Sequence, residues 1–228
     1  MPDEYELSDE HLEEAEEQHP KELDPETRER RDAALRHVRK LGDPVLRATA
    51  LPVERFDADL NAEIERMGAL MRDALGIGLA ATQLGILHRV FVYRVNPDDS
   101  VTAVVNPVIE DSSAELETAE EGCLSLPGVH LEVERPARVR LRAQDANGDE
   151  LIVDAEGLEA RVIQHELDHL DGVLILDRVS RAERKDAMRA LREATQGDAR
   201  DATRAGADVE SRPARASAPA PAADLART

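Results

Sequence analysis

The chain has 228 residues, a formal net charge of −20, one cysteine and 2% aromatic residues. So acidic a chain, whose aromatics are Tyr5, Phe56, Phe91 and Tyr93, has neither the basic surface nor the stacking platform of a nucleic-acid binder, which excludes DNA as a main partner. No apolar run approaches the roughly 18 residues of a membrane span. One Cys forms no internal disulfide, and the acidic start lacks a secretion signal's basic and apolar regions, so a cytoplasmic, reducing location is expected.

Residues 1–30 hold thirteen acids against three bases and almost nothing apolar, and are expected to form an acidic arm that is disordered or at most a fraying helix. Residues 31–196 have single-domain length. Within them Arg30–Leu41 reads as a helix through Leu35, Val38 and Leu41, broken by Gly42-Asp43-Pro44. Asp57–Leu75 carries Leu60, Ile64, Met67, Met71 and Leu75 on one helical face, with Asp57 or Asp59 as cap and Gly76 as terminator. His88–Val95, Val101–Ile109, Leu131–Val133, Val139–Ala143 and Leu151–Val153 read as short, mostly antiparallel strands between turns. Leu158–Leu170 is helical and apolar on more than one side, hence buried. Ser180 and Glu183 form a capping box for a last helix to about Ala194, and the Ala/Pro/Arg-rich residues 197–228 read as a solvated tail. The order is that of an α+β fold.

The buried helix carries His165-Glu166-Leu167-Asp168-His169. Residues four apart lie on one face, so both imidazoles reach a single ion with Glu166 beside it, and an ion compensates polar groups that are otherwise costly to bury. Two histidines leave a tetrahedral site short of a ligand. A third histidine six residues on would make a metzincin protease, but Ile175 stands there; Glu183 and Glu193, the acids a gluzincin would use, lie on a charged helix. Cys123, in the glycine-flanked extended segment Glu121–Gly128, is the remaining candidate. Pairing Cys123 with one His as a nucleophile would leave the second His and Glu166 idle. Gly76-Ile77-Gly78-Leu79-Ala80-Ala81-Thr82-Gln83 has dinucleotide-fingerprint spacing but runs from helix toward strand, the reverse of that motif. It reads better as a loop whose bare glycines admit a substrate backbone, with the Gln83 amide as donor.

Gly76–Gln83, Glu121–Ser125 and Gln164–His169, in that order, resemble the three sequence blocks of peptide deformylases, and the likeness extends over about 37–180. The resemblance implies antiparallel β-sheets wrapped around a central helix that bears the two histidines, with a C-terminal helix. It implies metal ligands at Cys123, His165 and His169 and general base/acid at Glu166. Oxyanion donors would be the Gln83 side chain and the Leu124 backbone N–H. It implies Fe(II) as the working ion, with zinc, nickel or cobalt able to substitute. The activity implied is removal of the N-formyl group from the initiator formyl-methionine of nascent polypeptides, with water activated at the ion attacking the formyl carbon. Two positions depart from the usual pattern: Thr82 replaces a proline, and His130 stands where some members have arginine.

Ile77, Gly78 and Gly122 are expected to pair with the substrate backbone, and Val162 and Ile163 to wall the methionine pocket. Glu121, Arg135 and Asp168 are expected to form an ion network that orients the site. The basic helix at 181–193 is a candidate contact to ribosomal RNA, against its reading as a solvated face. A metallopeptidase using the same helix and a non-catalytic metal-binding homologue are the alternatives; the latter has no need of Glu166 and Gln83.

Overall fold

The computed structural model describes residues 23–193. The expected tail at 197–228 and most of the expected arm lie outside the described residues. Helix α1 spans Pro25–Leu35, opened by the Asp24 carboxylate, which accepts from Thr27 N at 3.0 Å, and by Pro25 in the first turn. It begins earlier than Arg30–Leu41 because the Asp-Pro start fixes the first turn, and it ends at Leu35; residues 25–30, read as disordered or at most a fraying helix, belong to it. A 3₁₀ turn, Pro44–Arg47, follows the Gly-Asp-Pro break.

Helix α2, Ala58–Asp73, is capped by Asp57, whose Oδ1 accepts from Asp59 N and Leu60 N at 3.2 Å each. Its buried stripe is Leu60, Ile64, Met67 and Met71, as the periodicity predicts. The left-handed residue after it is Leu75 (φ 59°), not the expected Gly76. Gly76 serves space instead: a Cβ there would lie 3.1 Å from Leu124 Cδ1.

Seven strands follow: β1 (Gly78–Ala80), β2 (Val90–Tyr93), β3 (Thr102–Ser112), β4 (Leu116–Cys123), β5 (Leu126–Pro136), β6 (Arg138–Gln144) and β7 (Glu150–Glu156). Among the described residues all pairings between these strands are antiparallel; five strands form one sheet in the order β1-β2-β3-β6-β7, and β4-β5 form a separate ribbon. The sequence reading recognised only the end of β4 as extended. Its acid-rich run escapes the apolar alternation rule because most of its side chains are exposed.

Strand alternation builds the layers. Leu79, Val90, Val92 and Val105 face α2, whereas Ala80, Phe91, Tyr93 and Val104 face helix α3, Gly157–Leu170. On its other side α3 meets β5. It is therefore enclosed between the sheet and the ribbon, which is the expected central helix. A third apolar cluster joins Leu126, Val129 and Val133 to Leu46, Leu174, Ile175, Leu176 and Ala187, anchoring the last helix, residues 181–193. Its capping box forms: Ser180 N donates to Glu183 Oε2 at 2.9 Å, and Glu183 N donates to Ser180 Oγ at 3.3 Å. No helix among the described residues is long and apolar enough to cross a membrane.

Candidate metal centre and its cleft

Helical spacing puts His165 and His169 on one face of α3, one turn apart, with their rings 5.0 Å apart in an edge-on arrangement. Cys123 closes the set from the end of β4, where a register shift after Gly122 re-aims the chain, as bulges do. Its Sγ lies 3.2 Å from His169 Nε2, and one donor atom from each of the three residues falls within 4.8 Å of the others. A thiolate and two imidazoles are the donor chemistry that suits zinc or Fe(II).

The charges around these atoms fit a cation. Burial alone would raise the Cys123 thiol, but His169 and His165 outweigh it and hold it well below the ordinary thiol range. His165, whose burial works against charge, is raised well above the ordinary imidazole range by Cys123 and Glu121. Glu166 Oε2 and His169 Nδ1 are buried with no hydrogen-bond partner among the described residues. Burial lifts the Glu166 carboxyl above its ordinary range, against the pull of both imidazoles. An orphaned carboxylate oxygen beside a thiolate and two imidazoles that converge on one point is costly unless an ion, or a group held by one, answers it.

Around this lies the expected ion network, larger than the sequence reading made it. Glu121 accepts from His165 Nδ1 at 3.0 Å, which leaves Nε2 of that ring for ligation. The same carboxylate takes Arg135 Nε and Nη2 at 2.6 and 2.9 Å and Arg161 Nη1 at 2.8 Å. Arg135 Nη1 bonds Asp168 Oδ2 at 2.9 Å, and Arg178 grips the Asp168 carboxylate from outside. Burial pushes Glu121 up, but Arg135 and His165 pull it down to about 2. The sequence reading missed Arg161 and Arg178. Arg161 precedes His165 by one helical turn, a signal that could have found it; nothing local marks Arg178.

Gln83 sits in the 3₁₀ turn Ala81–Leu84. Its Oε1 accepts from Ala80 N at 2.9 Å, which fixes the amide orientation, and its Nε2 donates to Ser125 Oγ at 3.2 Å and reaches Cys123 Sγ at 3.8 Å. Thr82, the departure from proline, donates its hydroxyl to the His169 carbonyl at 3.1 Å and so ties this turn to α3. A segment nobody would pick from sequence braces both loops. Arg39 N donates to Gln83 O at 2.7 Å, Lys40 Nζ to Leu124 O at 2.8 Å, and Leu41 N to Ser125 O at 3.0 Å.

These residues open into a cleft of about 430 Å³. Ile77, Gly78, Gly122, Leu124 and Val162 line it. Ile163 does not. It is fully buried against the sheet, because adjacent helical residues point about 100° apart and only Val162 turns toward the cleft. Leu158, one turn before Val162 and half-exposed, takes the place on the wall that Ile163 was expected to fill. Among the described residues β1 is an edge strand and β4 pairs with β5 alone, and Gly78 and Gly122 of these two strands line the cleft. His130, on the rim, lies 3.3 Å from the Glu120 carboxylate through Nδ1.

The family described as polypeptide deformylase matches residues 35–185. A peptide deformylase of Parafrankia sp. is 45% identical over 161 residues, covering 71% of this chain and 87% of the relative. One from Thermotoga neapolitana is 50% identical over 147 residues, covering 64% and 88%. Among solved structures, a peptide deformylase from Legionella pneumophila is similar with TM-score 0.68 and 38% identity, over 72% of this chain and 96% of that one. The Synechococcus elongatus peptide deformylase in complex with actinonin reaches 0.65 and 44%, over 67% and 85%. Layered fold, thiolate-imidazole cluster and sequence agree, and the chain belongs to the peptide deformylase family.

Proposed function

We propose that this chain hydrolyses the N-formyl group from the formyl-methionine end of nascent polypeptides and releases formate. The observation that carries this reading is Glu166, whose buried Oε2 has no hydrogen-bond partner among the described residues, beside the Cys123–His165–His169 cluster in a cleft edged by two strands. We assign Fe(II) as the working ion, with zinc, nickel or cobalt as substitutes, held by those three side chains. When bound, such an ion supplies Lewis-acid polarisation and brings a water's pKa from near 16 toward about 7.

The chain's own groups do the rest. The free edges of Ile77–Gly78 and of the strand around Gly122 pair with the extended substrate backbone, and Val162 with Leu158 packs the methionine side chain. Glu166 accepts the proton of the attacking water; its raised carboxyl pKa suits a base that must return that proton to the leaving amine. As C–O forms at the formyl carbon, the growing oxyanion takes hydrogen bonds from the Gln83 amide and the Leu124 N–H, worth about 3–4 kcal/mol per donor in comparable sites. The amine then departs with the proton from Glu166 as the C–N bond breaks. A catalytic domain at 31–196 flanked by two tails, a cytoplasmic location, and contact of helix 181–193 with ribosomal RNA complete the proposal. Arg181, Arg184, Lys185 and Arg192 cluster on that helix in support of the last point.

The test is formate release from formyl-Met-Ala-Ser by protein purified anaerobically with Fe(II), beside Glu166→Ala. Release by wild type that falls at least about 10²-fold in the variant, with metal retained, is the expected result. Cleavage of unformylated peptides by fully metallated wild type, with no formate released, would instead support a metallopeptidase.

A further inference from the structure

The cleft is not built from the family-matched residues alone. Arg31 lines it, and Arg31 precedes the matched span, which starts at residue 35. α1 holds it there: Ala34 is buried, and Leu35 packs with the α2 cluster that contains Ile64 and Met67. Leu35, one helical turn after Arg31, lines the same wall.

The guanidinium is weakly answered within the protein. Its ion pair among the described residues is with Asp32 at 3.9 Å, between side chains 39% and 56% exposed, a geometry of little energy. Its charge is felt at Lys40, where it adds to burial in disfavouring the ammonium form. Lys40 in turn holds the Leu124 carbonyl beside Cys123. Arg31 is thus a weakly paired, partly exposed cation in the lining of the cleft. The formyl end must reach buried Glu166, so the residues after methionine lie toward the exposed lining, of which Arg31, Leu35 and half-exposed Leu75 form one part.

We propose that Arg31 is a specificity-determining residue that favours substrates with an acidic side chain shortly after the formyl-methionine. The inference rests on the deformylase reading and adds to it a preference by charge. An acid there gains an incompletely paired guanidinium, whereas a lysine meets like charge.

The experiment uses the full chain loaded with Fe(II) and two series of C-terminally amidated peptides, formyl-Met-X-Ala and formyl-Met-Ala-X, with X as Asp, Ser or Lys. In wild type at low salt, kcat/KM for Asp should exceed that for Lys by about three- to tenfold in at least one series. Arg31→Glu should bring the ratio below one, Arg31→Gln should fall between, and about 0.5 M salt should flatten the wild-type preference. A ratio that Arg31→Glu moves by less than about twofold in both series, while wild type turns the peptides over, overturns this inference alone. No formate from any peptide with metallated wild type overturns the deformylase reading and the inference together.

Discussion

Gly78 offers the sharpest perturbation of the centre. It lies in β1 opposite Tyr93, and a Cβ added to it would lie 2.8 Å from Glu166 Cδ and 2.9 Å from Cγ. Carbon pairs rest at about 3.5–4.0 Å, so one partner must give by about 1 Å. Gly78 is not among the glycines with positive φ, so the cost of Gly78→Ala is steric, without backbone strain. β1 is pinned by its pairing with β2, and Glu166 is buried on a helix enclosed on two sides, so the carboxylate takes most of the displacement. A misplacement of about 1 Å at a catalytic group costs about 10²-fold, which sets the expected loss in kcat/KM for formyl-Met-Ala-Ser. Overpacking adds about 1–3 kcal/mol of destabilisation in urea unfolding. Metal content should stay at the wild-type level, since the atoms nearest the new methyl all belong to Glu166 and not to a candidate ligand. A variant with full metal and activity within about threefold of wild type would refute the reasoning, because Glu166 could then move freely without losing its function.

Three further outcomes are expected. Glu121→Gln leaves buried Arg135 with Asp168 as its remaining carboxylate partner and should cost about 2–3 kcal/mol in unfolding of the metal-free protein, less than for a fully unpaired buried charge. Because the Glu121 carboxyl is depressed to about 2, that stabilisation is full above about pH 4.5 and is lost as pH falls toward about 2, so the gap between wild type and variant should narrow across that window; a gap independent of pH would contradict the pairing. Lys40→Met keeps the side-chain stem but releases the Leu124 carbonyl, and should lower kcat about tenfold at unchanged KM, with Lys40→Arg restoring part of it; a rise in KM alone would show a different role. Cys123→Ser should weaken metal retention by more than the roughly 10–100-fold typical of losing a ligand's hydrogen-bond partner, and chelation of wild type should abolish activity until Fe(II) returns; undiminished metal content in the variant would remove Cys123 from the ligand set.

Local chemistry alone made much of this protein legible. His165, Glu166 and His169 are related by helical periodicity, which converts spacing in sequence directly into a shared face in space. Leu60, Ile64, Met67 and Met71 buried their stripe for the same reason, and Ser180 with Glu183 closed their capping box within one turn. Cys123 could be named because a two-histidine site needed a further ligand and the chain has one cysteine. Where two local signals competed, the weaker one misled: Asp24-Pro25 set the start of α1 over the apolar spacing, and Leu75 took the left-handed turn while Gly76 made room for Leu124.

What tertiary structure decided has no period to read. Lys40 is 84 residues from Leu124, Arg39 meets Gln83 from another distant segment, and Arg178 joins Asp168 from a separate turn. Ile163 and Val162 are equally apolar neighbours, and only the placement of the sheet sent one into the core and the other to the cleft. The reach of Arg31 into that cleft depends on how α1 lies against α2. Short-range order follows from backbone geometry, which each residue type biases by itself. Long-range pairing is chosen by the simultaneous burial of every layer, so no single segment carries it.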